Sequence, residues 1–512
     1  MARPAIDPDG GDRLSPWLWA AAGLLGAATL SLALRPAASI FLIPLSEDGY
    51  YAMAIARNIA AGRGITIDGV TATNGFQPLF TFLQAGLFRL AGGDDALAVR
   101  LILGLHWLFQ VGAALLVGQI AGDALPGGRP ALRRALASFL YLSGTYLFLH
   151  HFNGLETGCL LFLLALAWRQ VQCGRATGWA GLAGLGLLLG LIVLTRIDMA
   201  VLVVCLCGRE LWLGRERGWD IALARAALLG GVALAVSSPW WLYNWIGFGS
   251  PMPISGTAQQ GWALEAARGR WLGWAFGTAA MPWLFLGDFE SRLVDWLRLP
   301  LFLGMLFLVL RWLRGGAADA MARQTRGYAR ALAATLLLLG LWYGLAFFAV
   351  WFYSRYLAAS ALLGIVTLAV AAAPLVARHP ALGRIAGLVL VLPVATLAAL
   401  AWHGQGLYGT ILFRDQLALV QRAVPPDDVV AAGQSGTLGF FRPHVVNMDG
   451  KVNPEIHAYA GHPWDYLTER GIRWFADWPY YVEKSLGPDP SAHGWKPVAR
   501  QGNFILYHRD GG

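Results

Sequence analysis

The chain has 512 residues, 57% of them hydrophobic and only 13% charged, with a mean hydropathy of +0.52. A soluble globular protein carries about 25% charged residues, so the composition excludes a soluble enzyme and indicates a polytopic membrane protein. The formal charge of +9 does not argue for a nucleic-acid partner, because the basic residues fall in short loops between apolar runs, where they set topology.

The short polar N-terminus is followed by an apolar run from Pro16 to about Leu34. That is longer than the roughly 7–15 residues of a signal-peptide core, so it reads as a retained first helix. A spanning helix needs about 20 mostly apolar residues. Segments of this kind, with loose ends, are 16–40, 98–120, 135–152, 156–171, 178–195, 198–213, 222–243, 296–313, 331–352, 356–377 and 383–403, about eleven in all. The loops carrying Arg129, Arg133 and Arg134, then Arg209, Arg215 and Arg217, then Arg378 and Arg384, all fall on the side of the N-terminus if these spans hold. By the positive-inside rule, the N-terminus is then cytoplasmic and the C-terminal region extracytoplasmic, in a multi-pass plasma (inner) membrane protein. Cys159, Cys173, Cys205 and Cys207 lie in or beside the spans without metal-site spacing, so no disulfide framework is indicated.

Three outer segments are long. The first, 45–97, contains SEDGYYAMAIARNIAAGRG, in which Tyr51, Ile55 and Ile59 form a helical stripe that ends at Gly62 and Gly64. Asp48 would sit at or near the N-cap of that helix. An adjacent pair of carboxylates, Glu47-Asp48, exceeds what a cap needs, and one of them is a candidate general base or metal ligand. Ile67-Asp68-Gly69-Val70 reads as a hairpin turn, with Asp68 structural. The second outer segment, 244–295, includes FGSPMPISG and a Trp-rich run at 262–283 suited to the bilayer interface. The third, 404–512, shifts to polar composition. VVAAG, HVVNMDG, IRWFADW and NFILYH read as strands, and Phe413–Ala423 and Trp464–Arg470 as helices between them. The expected organisation is therefore a transmembrane domain, 1–403, followed by a small extracytoplasmic α/β domain, 404–512.

The shorter outer loops add further chemistry. HHFNGLET places Glu156 at a span start beside His150, His151 and Asn153, and ionisable groups at membrane depth are usually functional. Arg57, Arg196 in TRID and Arg355 in FYSRY lie on the same side as the carboxylates, against the topological trend. Together they suit an anionic ligand such as a phosphate, which the guanidinium fork grips well. No Walker, dinucleotide or HExxH pattern is present.

EDGYYAMAIARNIAAGRG, TNGFQPLF, NGLET, LTRID, FGSPMPISG, SRYL and VNMDGKVN, taken in this order, resemble the GT-C superfamily of integral-membrane glycosyltransferases. The nearest branch is the one related to bacterial aminoarabinose and protein mannosyl transferases. The resemblance implies a helical membrane domain that takes a sugar from a polyprenyl-phosphate carrier at the outer face. The sugar passes, with inversion, to a lipid, glycan or protein. It implies Asp48, with Glu47 and Glu156, as the catalytic carboxylates. Arg57, Arg196 and Arg355 are implied for the donor phosphate, and His151, Asn153, Asn74 and Gln77 for substrate contacts. Gln77 stands where the signature leads one to expect His, and Gln259-Gln260 where a Lys often follows. Metal use differs within the superfamily, so no cofactor is assigned and a divalent metal stays open. The competing readings are a non-catalytic relative that binds a glycan or partner, and a lipid or sugar transporter. A transporter would carry midplane charges and repeated halves, which this sequence lacks.

Overall fold

A computed structural model of the protein describes residues 14–258, 280–283, 292–316, 319–346, 353–405 and 413–510. Helices occupy each expected span position. In chain order the elements that matter here are α1 (Leu14–Leu30), α2 (Glu47–Ala60), α3 (Pro78–Leu90), α4 (Asp95–Gly122), α5 (Pro130–Leu142), α6 (Thr145–Phe152), α7 (Thr157–Gln172), α8 (Trp179–Thr195), α9 (Ala200–Gly214), α10 (Trp219–Phe248), α11 (Arg292–Arg314), α12 (Ala320–Ala346), α13 (Ser360–Arg378) and α14 (Pro380–Trp402).

The expected count of eleven spans is not confirmed. Among the described residues six helices are long and apolar enough to cross a membrane, the shortest 19 residues and the longest 30. A seventh span results if α6 and α7, bent by 111° at the NGLET turn, are counted together. For several of the others the reason is length. At about 1.5 Å per residue, the 13 residues of α5 or the 15 of α9 fall short of a full hydrocarbon core. The expected span 135–152 is two helices, divided at Ser143-Gly144. The chain is nonetheless a multi-pass membrane protein. Its core interleaves Leu25, Val99, Ile102, Leu136, Leu161 and Ile365, while Leu24, Leu108, Leu337 and Leu388 point outward, as lipid-facing positions do. The Trp-rich run expected at the interface lies mostly outside the described residues, as do Gln259-Gln260.

The polar C-terminal region folds as a small α/β unit. It contains α15 (Phe413–Ala423), β1 (Val430–Ala432), α16 (Gly436–Phe441), β2 (Val445–Asn447), α17 (Pro463–Glu469), β3 (Trp474–Asp477), α18 (Pro479–Leu486), β4 (Trp495–Gln501) and β5 (Phe504–Arg509). The five-stranded sheet has the order β2-β1-β3-β5-β4. β1 runs parallel to both β2 and β3, and β5 is antiparallel to β3 and β4. Val430, Ala432, Ala476, Phe504 and Leu506 pack one core of this unit and Phe475, Leu467 and Trp495 another. β4 was not expected: WKPVARQ is mostly exposed, carries Pro497 and holds a register shift between Pro497 and Ala499. An edge strand tolerates these features and a central strand does not.

Candidate active site

The site begins at the N-terminus of α2. The cap is Ser46, not Asp48: the Ser46 hydroxyl accepts the Gly49 N–H at 3.2 Å. Both Glu47 and Asp48 therefore sit in the first turn with their carboxylates available for other work. The NGLET turn is clamped onto this helix end, because Ser46 N–H and Oγ both donate to Asn153 O, at 3.0 and 2.9 Å. The approach is so close that a Cβ at position 49 would lie 2.3 Å from Asn153 O. Asn153 turns its own side chain inward to accept the Leu155 N–H at 3.0 Å. These contacts fix Glu156 relative to Asp48. Gly49→Ala is expected to force the two segments apart, at about 1–3 kcal/mol as overpacking usually costs. A thermal melt of the purified variant checks this.

Asp48 and Glu156 line a cavity of about 650 Å³ with Gln77, Arg196, Asp198, Tyr343, Arg355, Tyr356 and Lys451. Arg196 grips Asp198 through Nε at 3.2 Å and Nη2 at 2.6 Å, and Glu156 through Nη1 at 3.1 Å. Its guanidinium stacks 4.6 Å from the Tyr356 ring centre, and the Tyr343 hydroxyl donates to Asp198 from α12. Arg355 donates to Asp48 Oδ2 at 3.1 Å. Gln77 accepts the Ile197 N–H at 3.3 Å, tying the TNGFQ turn to TRID. Leu338, Leu339, Trp342 and Trp241 make an apolar wall beside these charges.

Lys451 and Val452 belong to the C-terminal α/β unit. Lys451 Nζ lies 3.3 Å from Asp449 Oδ2, and its own N–H is held by Asp449 Oδ1 at 2.8 Å. Burial would raise the Asp48 carboxyl, but Lys451 and Arg355 outweigh it and hold Asp48 below the usual carboxylate range. For Lys451 burial acts downward, and Asp449 and Asp48 hold its ammonium above its ordinary value.

The structure brings Asp48, Glu156, Arg196, Arg355 and Gln77 together and places the other sequence candidates elsewhere. Glu47 and Arg57 bracket α16. Glu47 accepts the Gly436 N–H at 2.5 Å, the Thr437 N–H at 3.0 Å and the Thr437 hydroxyl. Arg57 donates to Phe440 O at 2.8 Å and pairs with Asp95 at 2.8 Å. A carboxylate at one helix end and a guanidinium at the other complement the helix dipole, so these two residues dock the C-terminal unit onto α2. His151 is buried against the Tyr141 hydroxyl at 2.8 Å. Asn74 is buried and accepts the Ile254 N–H at 3.1 Å, joining TNGFQ to the FGSPMPISG segment. Sequence reasoning missed Asp198, Tyr343 and Lys451. Asp198 stood in the TRID motif already in view, and Lys451 is one of only three lysines in the chain. Tyr343, inside an apolar helix, gave no signal.

Burial pushes Glu47 up to about 7, against the hydrogen bonds from Thr437 and Gly436. Asp477, which accepts the Gln434 N–H beside it, is pushed up by burial to about 8. Besides Asp477 on β3, Glu47 faces Asp48 on its own helix and Tyr51. Both raised values lie above those of an unfolded chain. The stability linked to these protons is therefore complete below the unfolded values, about 4, and is lost progressively as pH rises from there through about 7 for Glu47 and about 8 for Asp477. The melting temperature is expected to fall across that range, and Glu47→Gln should remove the Glu47 share and leave the fall that ends near about 8.

Each cavity carboxylate already faces a cation: Asp48 faces Arg355, and Glu156 and Asp198 face Arg196. Among the described residues no three His, Cys, Asp or Glu side chains gather in a way that could hold a metal ion. A divalent cation at Asp48 and Glu156 would have to displace Arg355 and Arg196 from them.

No family model matches the sequence, and no curated protein matches it. Solved structures do resemble it. ArnT from Cupriavidus metallidurans, bound to undecaprenyl phosphate, superposes with a TM-score of 0.54 at 13% identity, over 96% of this chain and 97% of that one. The oligosaccharyltransferase of Archaeoglobus fulgidus, in complex with Zn and sulfate, gives 0.54 at 15% identity, over 89% and 67%. AglB from the same organism, in complex with an inhibitory peptide and a dolichol-phosphate, gives 0.53 at 14% identity, over 95% and 74%. At such identities the likeness is one of fold. The chain has the fold of these solved structures, the one the ordered motifs led one to expect.

Proposed function

We propose that the protein is a glycosyltransferase that moves a sugar from a polyprenyl-phosphate carrier to a lipid, glycan or protein acceptor. The observation that carries this reading is the cavity in which Asp48 lies against Arg355 and near Lys451, beside the apolar wall of Leu338, Trp342 and Trp241. A donor with an apolar tail, an anionic phosphate and a sugar asks for those three surfaces in that order. The carriers named for the structural neighbours, undecaprenyl phosphate and dolichol-phosphate, belong to this chemical class.

In the proposed reaction the acceptor oxygen forms a bond to the anomeric carbon. The bond from that carbon to the phosphate oxygen breaks, and its electron pair stays on the phosphate. The acceptor proton goes to Asp48, which its cationic neighbours keep ionised and ready to accept it. Charge grows on the departing phosphate in the transition state, where fixed cations act most strongly. Attack opposite the departing group inverts the anomeric centre. The site end of the bundle faces outward and the N-terminus lies in the cytoplasm, as the distribution of basic loops supports.

The test supplies membranes that contain the protein with a panel of radiolabelled polyprenyl-phosphate sugars and extracted envelope acceptors. Transfer of one sugar above membranes without the protein supports the reading and names the donor. Absence of transfer across the panel, with confirmed folded protein, counts against it.

A further inference from the structure

We propose that Lys451, carried by the outer domain, binds the donor's phosphate together with Arg355, so that the reaction centre is assembled from two domains. The assignment rests on the transferase reading above and deepens it.

Among the described residues three cations line the cavity, Arg196, Arg355 and Lys451. Arg196 spends Nε and both terminal nitrogens on Asp198 and Glu156, which together encircle it. It is a framework residue, only 4% exposed. A departing phosphate gains negative charge as its bond to the sugar breaks, and needs more than Arg355 alone. Lys451 lies on the wall where Asp48 and Arg355 sit, close enough to act on the Asp48 carboxylate. An ammonium on a four-carbon stem re-aims its donors readily, so it can turn from Asp449 to an arriving phosphate.

The backbone around Lys451 is built to hold it there. Asp449 and Gly450 form a tight turn, with Gly450 at φ 78° and its N–H on Asn447 Oδ1 at 3.2 Å. Asn447 in turn donates to the Tyr51 hydroxyl at 3.1 Å, and Tyr51 lies three residues beyond Asp48 on α2. From the other side the TNGFQ turn presses so close that a Cβ on Gly75 would lie 1.9 Å from Lys451 O. The DGK turn is thus wedged between two membrane-domain segments that themselves line the cavity.

The experiment compares wild type, Lys451→Met and Lys451→Arg as full-length proteins in lipid nanodiscs, titrated with undecaprenyl phosphate and with uncharged undecaprenol. Lys451→Met is expected to weaken binding of the phosphate at least about tenfold, leave undecaprenol within about twofold, and regain most of the affinity as Lys451→Arg. Unchanged phosphate affinity in Lys451→Met overturns the assignment. So does an equal loss for both lipids, which would mark Lys451 as a structural part of the domain contact. If the methionine variant does not fold, Lys451→Gln carries the same comparison. A folded wild type with no preference for the phosphate over undecaprenol sinks the transferase reading itself, and this assignment with it.

Discussion

Asp48→Asn is expected to lower sugar transfer by about 10²–10⁴-fold, the usual contribution of a positioned general base. The protein should still reach the membrane. The amide retains an oxygen for Arg355 Nη1, which now donates to Asp48 Oδ2 at 3.1 Å. Ser46 holds the helix cap, so α2 does not depend on Asp48 to begin. The amide cannot take a proton, and it no longer balances Arg355 and Lys451. Transfer measured at matched expression, alongside a thermal melt, separates the two effects. Full transfer by the variant would remove Asp48 as the base and direct attention to Glu156.

The second large effect concerns stability. Arg196→Met would leave Glu156, 7% exposed, and Asp198, 14% exposed, without the guanidinium that both of them face. Removing one member of a buried charge group typically costs about 3–5 kcal/mol, because the remaining charges stay desolvated. The loss extends beyond charge, since Arg196 also stacks on Tyr356 and fixes the junction between α8 and the TRID turn. Arg196→Lys is expected to recover only part, because an ammonium cannot engage Asp198 through two parallel donors while reaching Glu156. Retention of monodisperse protein after graded heating measures this. A methionine variant that melts with the wild type would show that water reaches the two carboxylates and screens them.

The helical architecture was legible because apolar runs and the asymmetry of arginine loops are strong, additive signals. α2 and α15 could be read within a few residues of their observed bounds, since α2 has its glycine stop and α15 its amphipathic pattern. Span count was less legible: composition does not tell a short buried helix such as α5 from one that crosses a bilayer. At the site, motifs located the loops that converge but not the direction in which side chains turn. Glu47 and Asp48 are neighbours in sequence, yet successive helix positions lie about 100° apart. One therefore caps α16 while the other faces the cavity. Arg57 looked like a phosphate ligand by charge and side, and it docks the same helix instead. Lys451 was out of reach for another reason. Its placement depends on a contact between segments almost four hundred residues apart, which no local pattern encodes.

The orientation of the C-terminal sheet has a consequence of its own. In open α/β folds small ligands settle at the carboxyl ends of the parallel strands, where the following helix begins. Here that edge ends in Gly433 after β1, Met448 after β2 and Asp477 in β3. The membrane domain fills it. The Tyr51 hydroxyl accepts the Ser435 N–H at 2.9 Å and donates to Gly433 O, while the Glu47 carboxylate sits on the first N–H groups of α16. The C-terminal unit thus holds α2 in the crevice where open α/β folds take a ligand. Its vacancy has been spent on tethering, and any molecule that it helps to recognise must meet it at the rim, beside Lys451.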